Sequence, residues 1–128
     1  MKKILYVEND DINAFVLLKM LRKSLDVSLV NTAPKAIKIL REQSFDLIIL
    51  DIHLGRDQMD GIQLCDMIKA NPEWQDIPVM ALTAYAMPGN KEQFLEAGFD
   101  SVMCKPFERR ELLNEIQTLL NQSQASSA

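Results

Sequence analysis

The chain has 128 residues, 48% of them hydrophobic, with 14 basic and 18 acidic side chains and a net charge of -4. That length suits one globular core and leaves no room for a second domain, so a single domain over 1–121 with a polar C-terminal tail at 122–128 is expected. No apolar stretch approaches the roughly 18 to 20 residues of a membrane span, and Ile4 to Val7 after Met1-Lys2-Lys3 is too short for a signal peptide, so the expectation is a cytoplasmic protein without membrane insertion. Direct nucleic-acid binding is disfavoured too, because phosphate contact needs a cationic face and the densest basic cluster is Arg109-Arg110.

Lys3 to Val7 opens a pattern of short β-branched or leucine-rich runs that alternate with segments of helical period. Asp11 to Lys23 follows, apolar almost all round, so periodicity cannot choose its inward face. Val27 to Val30 reads as the second buried strand. Thr32 and Pro34 suit the start of a helix whose stripe is Ala36, Ile37 and Leu40. Leu47 to Leu50 is the third strand, and Ile62, Cys65 and Ile68 make the next helical stripe. Trp74, in "NPEWQDIP", reads as a loop-packing aromatic. Val79 to Leu82 is the fourth strand, and Gly98 with Phe99 behind it suits a left-handed helix end. Ser101 to Met103 is the fifth strand, before the clearest stripe of all: Leu112, Leu113, Ile116, Leu119 and Leu120. Cys65 and Cys104 lack metal-ligand spacing and read as small buried hydrophobes in a reducing compartment.

Five such alternations force a parallel sheet, because each right-handed crossover returns the chain to the same edge and lays a helix on one face. The expected fold is α/β, a doubly wound (βα)5 sandwich on a five-stranded parallel sheet. Ligands of such sheets gather beyond the carboxyl ends of the strands, where the order reverses. The buried run of the third strand meets Asp51 at that rim. The first strand brings Glu8, Asn9 and Asp10 there, the fourth Thr83 and the fifth Lys105. Crowded carboxylates repel unless a cation or a shared proton relieves them, and hard oxygen donors favour magnesium. A carboxylate, Mg2+ and a lysine together form a phosphoryl-transfer site, with Asp51 as nucleophile. Against this stand plainer readings: Asp51 as a strand-end acid, Lys105 as a solvated surface lysine, Thr83 as a strand-end residue and His53 as a rim side chain.

The chain resembles, from about Lys3 to Leu120, the receiver domain of two-component response regulators, in its stand-alone form. "ILYVEND" looks like the acidic loop, "FDLIILD" the phosphoacceptor strand, "MDG" the start of the third helix, "ALTA" the hydroxyl position and "KPF" the lysine before a cis-proline. The resemblance implies a flavodoxin-like arrangement in which Asp51 accepts a phosphoryl group from a histidine kinase or a histidine phosphotransfer protein. It implies that Glu8, Asn9 and Asp51, with the backbone carbonyl of His53, hold the metal, and that Thr83 and Lys105 bind the phosphoryl group. Tyr85, two beyond Thr83, would screen that group from water. Output would pass to a downstream effector protein through a surface around Lys91, Val102, Phe107 and Arg110. Such a protein is not an enzyme beyond accepting a phosphoryl group and slowly losing it.

Three departures stand out. Asn9 replaces the second acid of the usual pair, and Asp10 either compensates or caps the first helix. The loop "IHLGRDQMDG" is about two residues longer than the commoner form, and Val102 stands where an aromatic switch is frequent. The Asn9 substitution favours an alternative, a degenerate receiver that binds partners without phosphorylation. A phosphatase or flavin carrier on the same architecture is disfavoured, because the turn after the first strand carries acids where a phosphate cradle needs glycine.

Overall fold

The computed structural model describes residues 1–52, 56–84 and 90–127, the side chains of 56–60, 90 and 123–127 excepted. Strands and helices alternate throughout: β1 (Lys3–Val7), α1 (Asp11–Leu21), β2 (Asp26–Val30), α2 (Ala33–Glu42), β3 (Leu47–Ile52), α3 (Arg56–Ala70), β4 (Val79–Thr83), α4 (Asn90–Glu96), β5 (Ser101–Cys104) and α5 (Arg109–Ser127). All strand pairs are parallel, in the order β2-β1-β3-β4-β5.

That order dictates the layers. The chain moves outward from β1 to β2, then crosses back to β3 and continues the other way, and right-handed crossovers put helices of opposite travel on opposite faces. One layer accordingly packs Ala14, Leu17 and Leu21 of α1 and Leu112, Ile116, Leu119 and Leu120 of α5 against Ile4, Tyr6, Leu47 and Ile49. The other packs Ala36, Leu40, Leu64, Cys65, Ile68 and Phe94 against Leu5, Ile48, Leu50 and Ile52. Strand alternation divides each strand between the two cores. The direction of travel reverses between β1 and β3, which places the cleft beside Glu8 and Asp51.

Local chemistry sets the helix ends. Asp10 Oδ1 accepts from the backbone N–H groups of Ile12 (2.9 Å) and Asn13 (3.0 Å), capping α1. Thr32 caps α2 by accepting from Lys35 N, with Pro34 inside the first turn. After α4, Gly98 has φ 112° and the Phe99 N–H reaches back to Phe94 O at 3.2 Å, the closing bond of a left-handed helix end.

Several expectations need correction. β2 is an edge strand, only half-buried, with Leu29 41% exposed. Cys104 is exposed, whereas Cys65 is buried. It ends the opposite edge strand, where the sheet runs out at the rim and no layer covers it. The polar segment expected as a tail is helical to Ser127, continuing α5. β3, β4 and β5 each run one or two residues beyond their apolar runs, because ladder bonds join backbones and tolerate Asp51, Thr83 and Cys104. Trp74 is buried against the α2–α3 core, as a loop-packing aromatic should be.

Candidate functional site

Glu8 follows β1 directly and is only 3% exposed. Its backbone N–H donates to Val30 O at 3.0 Å, and its Oε1 accepts from the Asp10 N–H at 2.8 Å, so the turn into α1 clamps the side chain inward. Asp10 is thereby committed to the helix cap and does not stand in for an acid at Asn9. Asn9 itself is exposed. Glu8, Asn9 and Asp51 open onto one cavity of about 260 Å³, walled by Asn31, Thr32 and Gly61.

Asp51 lies within the β3 ladder, paired with Leu82 of β4, and its side chain is 1% exposed. Lys105 Nζ donates to Asp51 Oδ2 at 2.7 Å from a side chain that is 24% exposed. The lysine is placed by the sheet: its backbone N–H donates to Thr83 O at 2.7 Å, immediately past the end of β5, and the Lys105-Pro106 bond is cis, as the resemblance implies. Thr83 closes β4, paired with Ile52 on one side and Cys104 on the other, and is 2% exposed. Thus Glu8, Asp51, Thr83 and Lys105 meet at one rim although they come from four strand ends. His53 and Tyr85 lie outside the described residues.

Sequence reasoning did not single out Tyr6, yet it is buried in the groove that Asp51 and Lys105 line. Burial first, then the negative charges of Asp51, Glu8 and Asp10, push its phenol well above the ordinary value and keep it a neutral donor. A signal was present: Tyr6 puts a polar tip in the buried run Ile4 to Tyr6, and a buried tyrosine hydroxyl needs a partner.

The donor set suits a hard cation, since two sequestered carboxylates, Glu8 and Asp51, share the cleft and hard oxygen donors favour magnesium. Among the described residues no three His, Cys, Asp or Glu side chains form a metal cluster. A divalent ion here would therefore rest on Glu8 and Asp51 and be completed by neutral oxygens, the Asn9 amide first. No helix among the described residues is long and apolar enough to cross a membrane.

Comparison with known proteins agrees with this geometry. Residues 4–117 match the response regulator receiver domain family. Over 88 residues the chain is 40% identical to the signal transduction histidine-protein kinase BarA of Escherichia coli K12, covering 69% of this chain and 9% of that protein. It is 38% identical over 92 residues to the heme response regulator HssR of Staphylococcus aureus RF122, covering 72% of this chain and 39% of that one. The chain thus spans a minor part of the length of these relatives. Among solved structures, the receiver domain of the sensor histidine kinase PA1611 from Pseudomonas aeruginosa PAO1 superposes with a TM-score of 0.82 at 33% identity, covering 94% of this chain and 98% of that one, and holds a magnesium ion in its active-site cleft. With the family match spanning residues 4–117 and its five-stranded parallel sheet superposing on a solved receiver domain, this chain belongs to the response regulator receiver domain family of two-component systems.

Proposed function

We propose that this receiver takes a phosphoryl group onto Asp51 from a phosphohistidine of a kinase or phosphotransfer protein, and signals through a change of protein-binding surface. The observation that carries the reading is the Lys105–Asp51 pair at 2.7 Å, set in the cleft that Glu8 shares. An Asp51 oxygen attacks phosphorus while the bond to the donor imidazole nitrogen breaks and its electron pair returns to the ring. Lys105, freed from the carboxylate, neutralises a phosphoryl oxygen, and Thr83 at the end of β4 donates its hydroxyl to another. Mg2+ held by Glu8, Asp51, Asn9 and the His53 carbonyl would supply charge neutralisation on the phosphoryl oxygens. Lys105 directly follows β5 and Thr83 closes β4, so recruiting them couples the site to the surface around Lys91, Phe107 and Arg110, where an effector protein would bind; Val102, expected on that surface, is instead buried in the core.

The rim also suits a protein donor. Ile12, Phe15 and Val16 of α1 are 76%, 61% and 48% exposed, and Val16 lines a groove that reaches Asp51 and Lys105. Exposed apolar residues beside a charged site favour docking of a protein surface. No turnover of a separate substrate is proposed. Asn9 favours a second reading, a receiver that binds partners without phosphorylation. Incubation with magnesium chloride and acetyl phosphate followed by intact mass separates the two. A gain of one phosphoryl unit that disappears in Asp51→Asn supports phosphorylation, and no gain in the wild-type protein leaves the degenerate reading.

A further inference from the structure

Strand alternation sends Tyr6 to the face of the sheet covered by α1 and α5, with Ile4 and Leu47 as neighbours in that core. Its register partner on β3 is Ile49, and Asp51 stands two residues further along β3, hence on the same face. Tyr6 and Asp51 are therefore diagonal cross-strand neighbours, a separation that a long side chain spans. The tyrosine is 1% exposed, and it lines the groove beneath α1 together with Asp51, Leu82 and Lys105. The Asp51 charge lies close enough to the phenol to help hold its proton.

We propose that Tyr6 is a positioning residue for Asp51, whose hydroxyl holds the carboxylate alongside Lys105 and shortens the life of the acyl phosphate. This rests on phosphorylation at Asp51. When water attacks phosphorus, the bond from phosphorus to the Asp51 oxygen breaks, its electron pair returns to the carboxylate, and inorganic phosphate leaves with the oxygen and both protons of water. The negative charge on Asp51 is regenerated as that bond breaks. A hydroxyl donor beside the carboxylate stabilises that charge, whereas it gains less from the acyl phosphate, which carries no charge on the Asp51 oxygens. The hydroxyl thus favours the dephosphorylated side and the transition state leading to it. Its contribution is separable from packing, because phenylalanine keeps the ring among Ile4, Leu17 and Leu47 and removes only the donor.

The test compares wild type and Tyr6→Phe, labelled with acetyl phosphate and magnesium chloride and then freed of donor, with intact mass followed over time. Partial expression of a charged hydrogen bond in the transition state predicts a lifetime roughly three- to tenfold longer in Tyr6→Phe. Equal lifetimes in two folded, labelled proteins overturn the proposal and leave phosphorylation at Asp51 standing. Absence of label on the wild type overturns phosphorylation itself, and the lifetime role with it. The contact is also read without phosphate, from the hydroxyl proton resonance of Tyr6 in wild type and Asp51→Asn. Since Tyr6 is intact in both, this measurement holds even if Tyr6→Phe fails to fold. A marked upfield move on loss of the carboxylate charge supports the proposal, and an unmoved resonance overturns it.

Discussion

Replacing Lys105 by methionine keeps most of the aliphatic stem and deletes the cation that faces Asp51. At the observed 2.7 Å the bare attraction is about 6 kcal/mol with an effective dielectric near 20. The lysine side chain is 24% exposed and admits water, so doubling the dielectric to about 40, for about 3 kcal/mol, is the better figure. Asp51, at 1% exposure, has no such relief. Without Lys105 its charge stays buried in the cleft it shares with Glu8, a situation that costs about 3 to 5 kcal/mol when one partner of a buried pair is removed.

Lys105→Met should therefore lower the unfolding free energy by about 3 kcal/mol, or the melting temperature by about 10 °C for a domain of this size. Asp51→Asn removes the charge that the lysine answers, so adding Lys105→Met to it should cost far less. Urea unfolding of the four proteins of this cycle at neutral pH, in chelator, gives a coupling energy of about 3 kcal/mol. A coupling below about 0.5 kcal/mol would mean that the pair is screened as if on the open surface and would refute the reasoning.

Asn9→Asp should tighten magnesium binding by on the order of 1 kcal/mol, since a full charge is added at the exposed lip of the cleft; calorimetric titrations that coincide for the two forms would count against Asn9 as a metal neighbour. Gly98→Ala should destabilise by about 1 to 2 kcal/mol in urea unfolding, because at φ 112° the cost is backbone strain, while the new Cβ would meet Lys69 Cγ at an ordinary 3.4 Å. With a thiol reagent near pH 8 one cysteine, Cys104, should react in the native protein, and Cys65 only after unfolding. Burial pushes the Cys65 thiol up to about 11, with Asp100 and Asp66 adding and Lys69 opposing, so its folded state prefers the neutral form. Its contribution is whole below about pH 9 and fades as pH rises through about 11, a loss of stability that Cys65→Ala should diminish.

The parallel sheet was legible because buried parallel strands are apolar on both faces and leave unbroken runs, such as Leu47 to Leu50 and Val79 to Leu82. Thr32, Pro34 and Gly98 were legible because caps and left-handed turns demand particular side chains. The face of α1 was not. Its apolar residues go all round, and the sheet buries Ala14, Leu17 and Leu21 while leaving Ile12, Phe15 and Val16 outside. Cys104 misled because a small apolar residue at a strand end looks the same whether or not a layer covers it. Tyr6 was missed because it counts as apolar in a strand pattern, whereas its place beside Asp51 depends on β1–β3 register, which one sequence does not display. The Asp10 alternatives were open for a related reason. Only the turn geometry, with Glu8 Oε1 holding the Asp10 N–H, decides that the side chain points at the helix.

The Asp10 cap sharpens what Asn9 does to the site. Were Asp10 turned toward the cleft, it would restore the missing charge and Asn9 would be nearly silent. Since its oxygen instead accepts from Ile12 and Asn13, the metal-free cleft sets the carboxylates of Glu8 and Asp51 against the Lys105 ammonium. A third acid would raise the repulsion that a divalent cation relieves, and so strengthen metal binding at the expense of the metal-free fold. Affinity for the cation and stability without it are thus two readings of one charge count. Asn9→Asp must move them in opposite directions: tighter magnesium binding, and a lower unfolding free energy in chelator. A variant that gained both would show that Asn9 is not electrostatically coupled to Glu8 and Asp51.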